Sequence, residues 1–86
     1  MPRDIKLFNA KVSDIEILCN TGFSLDSRKY YTRISELLGE LIADGFTELE
    51  GAKRLADGGP TLISNRFAYP HISSYVLREK EKLIGS

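Results

Sequence analysis

Two side chains of distinctive chemistry stand alone in this sequence, one cysteine, Cys19, and one histidine, His71. A structural zinc site needs about four such ligands at close spacing, and one of each supplies no cluster. Cys19 follows Ile15, Ile17 and Leu18 on an apolar segment, which reads as a small buried hydrophobe rather than a reactive thiol. It cannot close an internal disulfide. Neither a glycine-rich phosphate loop nor a Gly-x-Ser-x-Gly elbow occurs. Carboxylates are plentiful, yet no spacing singles out a pair for acid–base work, so the sequence points away from an enzyme and predicts no cofactor and no metal.

A second group of residues is more suggestive. From Gly58 to Arg78 there is no Asp or Glu, while Arg66, His71 and Arg78 sit among Thr61, Ser64, Asn65, Ser73, Ser74 and three aromatic rings. Phosphate oxygens attract such donors, and an Asn or Arg at the start of a groove-bound helix can contact adenine or guanine edges. Solvated surface placement accounts for two arginines equally well. The 12 basic and 12 acidic residues cancel, but unevenly: residues 1 to 44 carry 6 − 7 = −1 and residues 45 to 86 carry 6 − 5 = +1. Neutrality is therefore an average that can hide a local positive face, and any DNA affinity should be modest in a monomer and depend on salt.

The elements that must position these residues belong to one domain, 1–86. The 42% apolar and 28% charged fractions are those of a folded chain. A core of this size leaves little stability margin, so oligomerisation, as a homodimer, is expected. The longest apolar runs, such as Ile17-Leu18-Cys19, fall far short of a membrane span, which suggests a cytoplasmic protein. In residues 1–12, Ile5 and Leu7 alternate with polar neighbours, and Phe8, Ala10 and Val12 continue the period of two, so a short strand or extended arm fits. Ser13 and Glu16 have capping-box spacing and Gly22 suits a C-cap, giving a short helix over Asp14–Thr21, although the alternation of Ile15 and Ile17 would equally suit a strand.

The clearest signal follows. Tyr30, Ile34, Leu37, Leu38, Leu41 and Ile42 form one apolar stripe at helical period, with Asp26 or Ser24 able to cap its start and Gly45 to stop it. Thr47 and Glu50 predict a second capping box opening a helix over Glu48–Ala56, closed by Asp57-Gly58-Gly59-Pro60. Pro60 suits the first turn of a further helix, with Ile63 and Phe67 sharing its buried face. Tyr69-Pro70 marks a boundary, and Ile72, Tyr75, Val76 and Leu83 predict a final charged helix. The fold class is all-α, a small bundle of four to five helices.

The order Leu-Ile-Ala-Asp-Gly-Phe-Thr-Glu-Leu-Glu-Gly-Ala-Lys-Arg-Leu-Ala from Leu41, then a Gly-containing break, then Pro-Thr-Leu-Ile-Ser-Asn-Arg-Phe, resembles the helix-turn-helix of bacterial and phage DNA-binding proteins. Ala52 stands at the small-residue position, Leu55 at a core position, and Ile63 and Phe67 at buried positions of the third, recognition helix. The Ile-Ser-Asn-Arg stretch is similar to recognition helices of plasmid partition proteins, and Tyr69-Pro70-His71-Ile72 is similar to small-subunit phage terminases. The resemblance covers roughly residues 37 to 72. It departs from the pattern at Gly51 and Asp57, where apolar residues are usual, and in the 63 − 52 = 11 steps from Ala52 to Ile63, one more than usual. These departures leave room for a helical hairpin that touches no DNA, or for a strand over Thr61–Ser64.

The resemblance implies a dimeric transcriptional or mobile-element regulator that binds double-stranded DNA. Thr61, Ser64, Asn65 and Arg66 would lie at or near the bases, with Lys53, Arg54 and His71 on phosphates. The alternative is a phage- or plasmid-encoded inhibitor or adaptor that binds another protein. Phe23, Tyr31, Tyr69 and Tyr75 would then be anchors wherever they are not core.

Overall fold

The computed structural model describes residues 4–58 and 66–84. They form four α-helices, α1 (Ile5–Leu25), α2 (Tyr30–Ala43), α3 (Glu50–Gly58) and α4 (Ala68–Ile84), with a 3-10 turn at Thr47–Leu49 leading into α3. The main packing runs α1 on α2, α2 on α3, α3 on α4 and α4 on α1, which closes a ring. The α1–α4 edge therefore lies opposite the α2–α3 edge. The all-α expectation holds.

The N-terminal expectation does not. Residues 5–12 are neither strand nor arm but the first turns of α1, because the Asp4 side chain accepts from Leu7 N–H at 3.1 Å and caps the helix. The buried residues Phe8, Val12, Ile15, Cys19 and Gly22 then recur at intervals of four and three. The apparent alternation of Ile5 and Leu7 concerns two residues that remain exposed. Ser13 and Glu16 lie inside the helix and cap nothing. Gly22 does not end it either. Asp26 does, in left-handed geometry at φ 51°, with Ser27 N–H reaching back to the Gly22 carbonyl at 3.0 Å. An aspartate thus fills the position that glycine usually takes in this motif.

Because Asp26 is engaged there, it does not cap α2. Lys29 occupies the cap position, and the Ser27 hydroxyl accepts from Lys29 N–H at 3.3 Å. The predicted stripe is buried along Ile34, Leu37, Leu38 and Leu41, with Tyr30 and Ile42 at its margins, and Tyr31 joins it fully buried. Gly45 stops the helix as expected, at φ 106°, and lets Phe46 N–H bond the Leu41 carbonyl at 3.0 Å. Thr47 opens the 3-10 turn instead of capping an α-helix.

Pro60 and Ile63 lie outside the described residues. Phe67 is 53% exposed, so it does not share the buried face expected of it. The last helix begins earlier than the Tyr69-Pro70 step suggests, at Ala68. Pro70 falls within its first turn, where a missing N–H removes no helical bond. Ile72 and Val76 are buried as predicted. Among the described residues, no helix is long and apolar enough to cross a membrane.

Candidate functional site

Two tyrosines, each the second residue of its helix, organise the centre of the molecule. Tyr31 and Tyr69 stack at 3.9 Å with planes 7° apart, and both are fully buried. They are core residues and not surface anchors. The backbone N–H groups of Ala68 and Tyr69 bond the Tyr31 hydroxyl, while the Tyr69 hydroxyl donates to the Ser27 carbonyl at 2.6 Å and meets the Tyr30 N–H. Each phenol therefore satisfies backbone groups at the start of the other's helix. Burial pushes the Tyr31 hydroxyl up, and burial with the neighbouring Tyr31 takes Tyr69 to about 12.

This pair anchors the upper α1–α4 edge. A groove of about 360 Å³ lies there, lined by Cys19, Asn20, Phe23, Ser24, Tyr69, Pro70, Ser73 and Ser74. Its side chains are uncharged. Burial, reinforced by the Glu16 carboxylate, raises the Cys19 thiol to about 12, so the cysteine is the inert small hydrophobe expected. At the groove's end the Arg66 guanidinium sits over two rings, 5.0 Å from the centre of Phe23 and 5.5 Å from that of Phe67. The rings meet edge to face at 6.0 Å. This geometry clamps Arg66 between α1 and the start of α4 while leaving Phe67 open to solvent.

The opposite, α2–α3 edge is built differently. Asp57 accepts from the Ser35 hydroxyl and pairs with Lys53 at 2.9 Å across a cleft of about 330 Å³. The Ser35 hydrogen bond and Lys53 hold the Asp57 carboxyl below its usual range. Lys53 thus faces α2 and is neutralised by its own helix. Arg54 is exposed on α3, His71 is exposed on α4, and Arg78 lies over the Tyr75 ring at 5.8 Å. Thr61, Ser64 and Asn65 lie outside the described residues.

Of the described candidates for nucleic-acid contact, Lys53 lies at the α2–α3 edge and Arg66 against Phe23 at the α1–α4 edge. Among the described residues, no group of three His, Cys, Asp or Glu side chains is placed to hold a metal. The sequence reading named Phe23 but missed Asn20, Ser24 and Pro70 as groove residues. Their only signal was position, four residues apart in the case of Asn20 and Ser24, on a segment whose helical extent was underestimated. No protein family matches the chain, and no curated protein or solved structure does.

Proposed function

We propose that the protein is a small protein-binding module of the adaptor or inhibitor kind, and that it recognises its partner through the α1–α4 edge around Phe23, Arg66 and Phe67. The observation that carries this reading is the Arg66 guanidinium held over two rings beside an uncharged groove. Centres of protein interfaces are enriched in aromatic residues and Arg and depleted of Lys, Asp and Glu, and also of Ser and Ala. From Gly58 to Leu77 the chain has no Lys, Asp or Glu, and serines supply the polar part of the groove. A phosphate-reading surface would gather lysine as well as arginine. The positive charge of Arg66, with no Asp or Glu in this stretch, suits a partner that presents a carboxylate beside an apolar side chain.

The test is capture by the immobilised chain from its source cells, repeated with nuclease and with the Arg66→Ala/Phe67→Ala double variant. One stoichiometric partner should be retained after nuclease treatment and lost with the variant. A partner held equally by both proteins would defeat this assignment.

A second reading is the helix-turn-helix DNA-binding regulator, supported by the left-handed Gly45 turn and by the full burial of Ala52 at the small-residue position. It makes a separate demand. Fluorescence anisotropy with mixed genomic fragments should show binding that weakens steeply with salt, and a flat titration at low ionic strength would remove it.

A further inference from the structure

We infer that the partner presents an acidic segment, several carboxylates interspersed with apolar side chains, and that the surface receiving it runs from Arg66 across one end of the bundle to Arg28 and Lys29. This rests on the protein-binding reading above and names the chemistry of its partner. That end of the molecule brings together the last turn of α1, the α1–α2 turn and the start of α4. The Tyr69 hydroxyl holds the Ser27 carbonyl at 2.6 Å, and Arg66 and Phe67 both meet Phe23. Arg28 and Lys29 follow Ser27 directly and are exposed. Asp26 is the one acid among residues 23–30 and 66–69, which leaves 3 − 1 = +2 for the end. The last turn of α3 adds no net charge, because Asp57 pairs with Lys53 at 2.9 Å.

Zero net charge hides this end because the opposite sign is gathered elsewhere. From Ser35 to Ala52 there are five acids, Glu36, Glu40, Asp44, Glu48 and Glu50, and no Lys or Arg. Those residues run down α2, away from Tyr30, through the Gly45 turn and into α3. A field of this shape draws an acidic partner toward one end and turns it from the other. Charge alone would suit any polyanion, and the apolar groups decide for a protein segment. Leu25 and Phe67 are 62% and 53% exposed beside these cations, and the uncharged groove of about 360 Å³ adjoins them. A flat bilayer surface does not fill such a groove, and a phosphate backbone offers Leu25 and Phe67 no apolar surface. Acidic residues alternating with aliphatic or aromatic ones match the cations, the exposed side chains and the groove together.

Selection from a phage-displayed library of random linear peptides on the immobilised full chain tests the inference. Retained peptides should be rich in Asp and Glu, carry a large apolar residue, and be lost with Arg66→Ala/Phe67→Ala. Labelled synthetic copies should bind about tenfold more weakly to Arg28→Glu/Lys29→Glu, and more weakly as salt rises, because charges at the rim of an interface set its salt dependence. Both residues are exposed, so the wild-type thermal melt should be kept, and Lys29→Glu alone should act in the same direction. Peptides that are apolar without being acidic, held through Phe67 and indifferent to the charge reversal, overturn the inference and leave the protein-binding reading in place. An absence of retained peptides also overturns it, while that reading stands or falls with the capture experiment. Binding of phosphatidylserine vesicles or of a DNA duplex through Arg28 and Lys29, where no acidic peptide binds, assigns the end to another class of partner and defeats the inference.

Discussion

Helix α4 meets its two neighbours by the same device used at different depths. Tyr69 lies over Gly22 of α1 and donates to the Ser27 carbonyl at 2.6 Å, while Tyr75 lies over Gly51 of α3 and donates to the Glu48 carbonyl at 3.0 Å. In both places the glycine is required by the ring above it rather than by backbone torsion. A Cβ on Gly22 would stand 2.3 Å from Tyr69 Cζ, and one on Gly51 would stand 2.5 Å from Tyr75 Oη. The difference lies in what holds each ring. Both hydroxyls are bonded, but Tyr69 is fully buried and stacked on Tyr31, whereas Tyr75 is half-buried with Arg78 over its ring. One contact has no slack, and the other borders on solvent. The same close approach should therefore have unequal energetic consequences.

The largest effects belong to the buried contact. Tyr69→Ala removes a stacked ring from the centre of the bundle and should cost about 4 kcal/mol, the middle of the range for an aromatic truncation. Gly22→Ala should cost about 2 kcal/mol net. Overpacking against an immobile ring costs about 3 kcal/mol, and replacing a helical glycine by alanine returns about 1 kcal/mol at most. Urea denaturation followed by circular dichroism measures both. A neutral Gly22→Ala would show that the ring can move and would remove the distinction between the two contacts.

Alkaline pH tests the same contact without mutation. Tyr69 has its folded-state value raised from 10 to about 12, so its contribution is complete below pH 10 and is lost as the pH rises through about 12. In that window the unfolded chain releases the proton first, and stability falls with pH. A difference of that size corresponds to about 3 kcal/mol at most for one buried group. Denaturation midpoints taken at stepped pH should begin to decline near pH 9, where the unfolded Cys19 thiol ionises, and fall more steeply above pH 10 as Tyr69 joins it. Tyr69→Phe should start less stable by about 1 kcal/mol, through the lost hydrogen bond, and should decline less steeply above pH 10.

What could be read in advance follows the same division between what repeats and what meets across the fold. The stripe of α2 was legible because six apolar residues recur at one period, and Gly45 because a left-handed stop follows it directly. The full length of α1 was not. Asp4 gives its cap little warning, Gly22 looks like a terminus, and the true terminus uses Asp26 in a conformation that favours glycine. Gly22 and Gly51 became intelligible only through Tyr69 and Tyr75, which lie 69 − 22 = 47 and 75 − 51 = 24 residues away. Gly51 had appeared to be a defect in a helix-turn-helix pattern, and the structure shows instead a seat for a ring. The candidate site was partly visible for the same reason. Phe23 and Arg66 could be named from composition, but their meeting over one groove depends on α1 extending far enough to carry Phe23 to the start of α4.

The smallest effects are expected at Gly51, and there their sign carries the information. Alanine at this position meets the hydroxyl end of a half-buried side chain, which can swing toward solvent. The cost is the hydrogen bond to Glu48, about 1 kcal/mol, and it is nearly matched by the gain of about 1 kcal/mol in helix propensity. Gly51→Ala alone should therefore change stability by less than about 1 kcal/mol, and Tyr75→Phe, which loses that same hydrogen bond, should cost about 1 kcal/mol. If the ring is the reason for the glycine, the two sites must be coupled. In a Tyr75→Ala background the obstruction is gone, and Gly51→Ala should become stabilising by nearly the full propensity difference. A double-mutant cycle isolates that change of sign. If Gly51→Ala has the same effect with and without Tyr75, the ring does not dictate the glycine, and the likeness between the two contacts of α4 is one of shape alone.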